Sequence, residues 1–118
     1  MAKTAINKII DGKLIASKIT DEIKKELSLH NNIKPGLALI LVGNNPASEI
    51  YVKKKEKKCA ELGYHSIVNR LSEKITEAEL LAHIRSYNNS SKIHGILIQL
   101  PLPKHINEMN ILEAVDYR

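Results

Sequence analysis

Reactive side chains attract attention where a plain structural role does not account for them, and this sequence has two such places. The first is the lysine-rich stretch from Lys53 to Lys58. Laid on a helix of 3.6 residues per turn, Ser48, Tyr51, Cys59 and Leu62 fall within about 40° of Lys55, whereas Lys53 and Lys57 point the opposite way. Lys55 thus shares a stripe with Ser, Tyr, Cys and Leu. A lysine there snorkels, pairs with an acid, or works. Snorkelling packs the stem and sends the ammonium to water. Partial desolvation would instead lower its pKa and let the amine accept a proton near neutral pH. Tyr51, one turn earlier, reads either as the wall of a shared pocket, stacking on a flat heterocycle, or as an amphipathic core tyrosine.

The second place is Gln99, an amide that interrupts an aliphatic run. If buried, it must find partners for both its oxygen and its NH₂; otherwise it is a strand-end residue emerging into solvent. Pro101 and Pro103 stop that strand and stiffen the backbone behind the amide. A shared site requires the Gln99 amide to lie within about 8 Å of the Lys55 amine, in reach of a hydrogen bond or a single bridging water.

Other chemistries find little support. Cys59 has no evident His partner and reads as a small buried hydrophobe, and a single cysteine excludes an internal disulfide framework. The five histidines lack the spacing of a helical metal pair, so no metal site is expected. No Gly-x-Gly-x-x-Gly occurs, so the chain is not expected to hold a dinucleotide in the Rossmann manner. The formal net charge of +5 and pI near 9.3 suit anionic partners. Nucleic-acid recognition, however, draws on arginine and aromatic residues, and here lysines far outnumber arginines and there is no Trp or Phe. The start lacks an apolar signal region, and the longest aliphatic run, Leu37 to Val42, is too short to span a bilayer, so the expectation is a cytoplasmic protein without a membrane partner.

These residues need elements to position them. Composition, at 43% hydrophobic and 26% charged, fits one compact domain. An apolar stretch, Ala5 to Ile10, precedes the Asp11-Gly12 turn and cap signal. Leu14, Ile15, Ile19, Ile23 and Leu27 then recur at helical spacing, predicting an amphipathic helix over about 12 to 29. After the breakers Asn31, Asn32, Pro35 and Gly36, residues 37 to 42 read as a strand buried on both faces. Asn45 as N-cap and Pro46 at the first helical position open a helix that ends at Gly63. Tyr64 to Leu71 alternates as a second strand, and Thr76 with Glu79 forms a capping box for a helix over 77 to 88. Ile93 to Leu100 reads as a third buried strand, and a last helix fits Asn107 to Val115.

Alternating strands and helices predict an α/β fold, a three-layer αβα sandwich whose mainly parallel sheet is built from βαβ units. Ligands of such sheets sit outside the carboxyl ends of the strands. Gly43 to Ser48 and Gln99 to Pro103 both fall there.

Two segments taken together, Val42-Gly43-Asn44-Asn45-Pro46-Ala47-Ser48-Glu49-Ile50-Tyr51-Val52-Lys53-Lys54-Lys55 and His94-Gly95-Ile96-Leu97-Ile98-Gln99-Leu100-Pro101-Leu102-Pro103, closely resemble the signature regions of the bifunctional methylenetetrahydrofolate dehydrogenase/methenyltetrahydrofolate cyclohydrolase family. The resemblance covers nearly the whole chain, so that residues 1 to 118 read as the folate-binding catalytic domain. It implies that Lys55 is the catalytic lysine, that Tyr51 packs along the folate rings, and that Gln99 orients the lysine amine. Ser48, Leu100 and Pro101 join them as substrate-binding residues. It also implies tetrahydrofolate as substrate, NADP bound by a following Rossmann domain that this chain lacks, and a homodimer in the full-length enzyme. In the family a Lys-Asp-Val-Asp-Gly run follows the last helix; Asp116 falls before it and is not its pterin-binding aspartate. Dehydrogenase activity of this chain alone is therefore not expected. The competing reading is a non-catalytic basic βαβ module that uses Lys53 to Lys58 to hold an anionic polymer.

Overall fold

The computed structural model describes residues 8–117, so the first half of the apolar stretch from Ala5 to Ile10 lies outside the described residues. The chain divides into two compact units, one ending at Ile33 and one beginning at Lys34. The first contains helix α1, Gly12–Ser28, whose N-terminus is capped by the Asp11 carboxylate accepting from Leu14 N at 3.1 Å. Its apolar stripe is present but only partly sheltered among the described residues: Leu14, Ile15 and Ile19 are about half exposed, Ile23 and Leu27 are intermediate, and no residue of the helix is buried.

The second unit runs β1 (Gly36–Val42), α2 (Pro46–Leu62), β2 (His65–Leu71), α3 (Glu77–Asn88), β3 (Gly95–Gln99) and α4 (Glu108–Ala114). The caps anticipated at Asn45 and Thr76 form, and Gly63 closes α2 in the left-handed conformation. All three strands are parallel, in the order β2-β1-β3. Central β1 is the strand buried on both faces. At the sheet's edge β3 is less buried than its aliphatic sequence suggests, with Ile98 its one buried residue, because an edge strand has a neighbour on one side only. Gly36 at the start of β1 leaves no room for a side chain, since a Cβ there would stand 1.8 Å from the Lys92 carbonyl oxygen.

The pleat sends alternate residues to opposite faces. Ile40, Val42 and Ile98 meet Leu80 and Ile84 of α3 and Ile111 of α4 in the main core. The other face carries Leu39 and Leu41, and the register sets Leu41 beside Arg70 of β2 and Gln99 of β3. Helix α2 lies over that face, tied to both flanking residues. Helices therefore cover both faces, as the three-layer reading requires. From β1 the chain moves one way to β2, then crosses back over β1 to β3. That reversal opens a crevice between the carboxyl ends of β1 and β3, the place where open α/β sheets hold ligands.

Candidate active site

Into this crevice come the β1–α2 turn and the end of β3. Gly43 turns the chain at φ 90°, a conformation that suits glycine because it lacks a Cβ. Asn45 Oδ1 then accepts from Ala47 N at 3.0 Å and Ser48 N at 3.1 Å, so the first amides of α2 are already occupied. On the facing side the Leu100–Pro101 peptide is cis, and Leu102 is anchored in the core.

Between these segments the side chains singled out by type converge. Lys55 Nζ donates to Gln99 Oε1 at 2.6 Å and stands 5.9 Å from the Tyr51 ring centroid. Gln99 Nε2 donates in turn to the Leu100 carbonyl oxygen at 3.2 Å, which also accepts from Ser48 Oγ at 3.4 Å. The loop closes on itself: Ser48 and Lys55 come from one helix, Gln99 and Leu100 from one strand end. It also fixes the Gln99 amide, with its nitrogen toward Leu100 and its oxygen toward the lysine. Among the described residues Lys55 forms no ion pair, which removes acid pairing from its three possible fates. Its amine is turned toward the strand end, where the Gln99 oxygen holds it.

The stripe on α2 is not uniformly lined. Ser48 and Cys59 are buried, together with Val52, while Tyr51 is 55% exposed and presents its ring as the open wall of the crevice. The core role for Tyr51 is thereby excluded. Burial pushes the Cys59 thiol above its ordinary pKa, which keeps it protonated and unreactive at neutral pH. The histidines are scattered: His94 Nδ1 accepts from Gly36 N, His105 Nε2 bonds the Ile75 carbonyl, and His83 Nδ1 meets the Asn69 amide. Among the described residues no group of three or more such side chains could hold a metal ion.

One feature of the site's frame escaped sequence reasoning. Arg70 grips Glu49 in the first turn of α2 with two nitrogens, Nη2 at 2.6 Å and Nε at 3.1 Å. The guanidinium holds the Glu49 carboxyl below its ordinary value, and the carboxylate raises Arg70. No spacing rule joins positions 49 and 70; the packing of α2 against β2 brings them together.

The sequence profile described as "Tetrahydrofolate dehydrogenase/cyclohydrolase, catalytic domain" matches residues 10–118. The chain is 53% identical over 110 residues to the bifunctional protein FolD of Nautilia profundicola and 48% identical over 111 to that of Acetivibrio thermocellus. Each match covers 92% of this chain and 39% of the relative, so the chain spans about two fifths of the length of those proteins. The crystal structure of the Campylobacter jejuni bifunctional enzyme FolD superposes with a TM-score of 0.86 at 48% identity, covering 90% of this chain and 38% of that one. The Trypanosoma brucei methylenetetrahydrofolate dehydrogenase-cyclohydrolase, complexed with NADP and an inhibitor, gives 0.86 at 30%, covering 92% and 38%.

Proposed function

Because this chain belongs to the tetrahydrofolate dehydrogenase/cyclohydrolase catalytic-domain family, we propose that it is the substrate-binding part of an enzyme that oxidises methylene-tetrahydrofolate and hydrolyses the methenyl product to formyl-tetrahydrofolate. The observation that carries this reading is the 2.6 Å contact between Lys55 and Gln99 beside the exposed ring of Tyr51. A folate heterocycle lies on Tyr51. Its methenyl carbon is already electrophilic, so the protein has to position a water and take its proton. With its Nζ held by Gln99 Oε1 beside the Tyr51 ring, Lys55 is the general base. Gln99 and Ser48 act by holding it, through the Leu100 carbonyl, at a fixed place over the ring. Leu100 and Pro101 line the opposite wall.

The residues of this chain do not fit NADP. The β1–α2 turn reads Gly43-Asn44-Asn45-Pro46, and Asn45 occupies the helix amides that a pyrophosphate would need. NADP, which accepts the hydride in the oxidation, is bound outside this chain, in an enzyme that pairs as a homodimer in the cytoplasm. Formyl and methylene groups carried on folate feed purine, methionine and histidine synthesis, the processes this enzyme serves.

The test is a titration of this chain with a tetrahydrofolate analogue and with single-stranded RNA over a range of salt. A chimera in which residues 10–118 replace their counterpart in the Nautilia profundicola protein is assayed for methenyl hydrolysis in parallel. Folate binding and hydrolysis support the reading; tight RNA binding that falls steeply with salt, without folate binding, replaces it with the anionic-polymer module.

A further inference from the structure

We propose that Arg70 is a positioning residue for the candidate active site: by gripping Glu49 it sets the rotation of α2 about its own axis, and with it the place of Tyr51 and Lys55 at the crevice. This rests on the folate reading above and deepens it, adding a residue that acts on the reaction through another element.

The need for such a residue follows from what α2 buries. Its buried residues are Ser48, Val52 and Cys59, all small or slender. Large interdigitating side chains are what key one packed surface into another. Apolar packing therefore holds α2 against the sheet but does little to stop it rolling.

Helical phase shows where the resistance comes from. Taking the mean direction of those three residues as facing the sheet, Lys55 and Tyr51 stand about 40° and 80° to one side and Glu49 about 80° to the other. On the first side Lys55 Nζ donates to Gln99 Oε1 at 2.6 Å and Ser48 Oγ to the Leu100 carbonyl oxygen at 3.4 Å. On the second, Arg70 Nη2 and Nε donate to Glu49 Oε1 at 2.6 and 3.1 Å, and Nε reaches Oε2 at 3.4 Å. The register lines up Arg70, Leu41 and Gln99 across β2, β1 and β3, so the two anchors flank one buried residue. They oppose each other: a roll toward either strand strains the bond to the other.

As a source of stability the pair is minor, since its side chains are 45% and 31% exposed. Direction is what two nitrogens on one carboxylate supply. With side chains reaching about 5–6 Å from a helix axis, a roll of about 10° moves a tip by roughly 1 Å. A misplacement of about that size can cost a reaction up to about a hundredfold.

The test is carried out in the chimera assayed for methenyl hydrolysis, with kcat, KM and urea unfolding measured at neutral pH. Arg70→Leu and Glu49→Gln should each lower kcat about tenfold and move KM by less than about threefold, because a broad ring on Tyr51 tolerates a shift that proton transfer does not. The double variant should be no slower than either single one, since each breaks the same link. Lys53 attracts the Glu49 carboxylate from longer range, and Lys53→Gln should leave both constants at their wild-type values. Wild-type kcat in Arg70→Leu or Glu49→Gln overturns the proposal. So do losses that multiply in the double variant, and an equal loss in Lys53→Gln, which would mean charge alone. A loss that vanishes once rates are referred to folded enzyme also overturns it, because Arg70 would then only stabilise. If Arg70→Leu does not fold, Glu49→Gln, which keeps the side chain's size, decides by itself. An inactive wild-type chimera breaks the folate reading and this proposal with it, whereas an active one with indifferent variants breaks the proposal alone.

Discussion

Helices α1 and α2 are both 17 residues long, and their sequences suggest opposite fates. α1 carries the clean apolar stripe of a core helix yet buries no residue, while α2, with its run of lysines, buries Ser48, Val52 and Cys59 and carries Tyr51 and Lys55. An apolar stripe says only that a helix can bury a face. Where the helix sits in the chain decides whether it does: α2 connects two adjacent parallel strands, and the crossover lays it on the sheet. A few well-placed residues then suffice for packing, and the remaining positions are free for chemistry and charge.

The contrast breaks most sharply at Lys55. Lys55→Gln keeps much of the stem and removes the base, so methenyl hydrolysis by the chimera at saturating substrate should fall by a factor of about 10² to 10⁴ while folate affinity changes far less. Hydrolysis at near wild-type kcat would make Lys55 a snorkelling lysine. Truncation compares the two helices directly. Val52→Ala in α2 should cost roughly 1–3 kcal/mol in urea unfolding, since it leaves a void against the sheet, whereas Ile19→Ala in α1 should stay within about 0.5 kcal/mol. Equal losses would mean that the apolar stripe, rather than the crossover, predicts burial.

Lys57→Gln probes the helix phase, and turnover should remain within a few-fold because that side chain faces away from the site. A loss of about a hundredfold would show that the lysines had been assigned to the wrong sides. The smallest expected effect concerns the grip of Arg70 on α2. Arg70 holds the Glu49 carboxyl below its ordinary 4.5, so the pair's contribution to stability is complete above that pH and disappears as pH falls through the depressed value. Arg70→Leu should therefore flatten the acid limb of a stability-against-pH curve and leave its neutral slope alone. An unchanged acid limb would mean that the pair is only a surface contact.

Element types and most boundaries were legible because they depend on neighbours in sequence: Asn45-Pro46 opening α2, Gly63 closing it, Thr76 with Glu79 opening α3. The site was half legible. Helical phase put Tyr51 and Lys55 on one side of α2, and the odd amide in an aliphatic strand marked Gln99, because both are local patterns. The arrangement that joins them is not local. Strand order β2-β1-β3 puts the crevice between β1 and β3, and the register sets Gln99 and Arg70 on either side of Leu41. Pairings 44 and 21 residues apart, Lys55 with Gln99 and Arg70 with Glu49, leave no periodic trace in the chain. Which side chains stand out, and on which element each rides, can be read along the chain, since spacing along a helix or strand is set by backbone geometry. Folding was needed to settle that β3 is a half-exposed edge and that Gln99 turns its oxygen rather than its nitrogen to Lys55, because each depends on groups the chain brings near only when it folds.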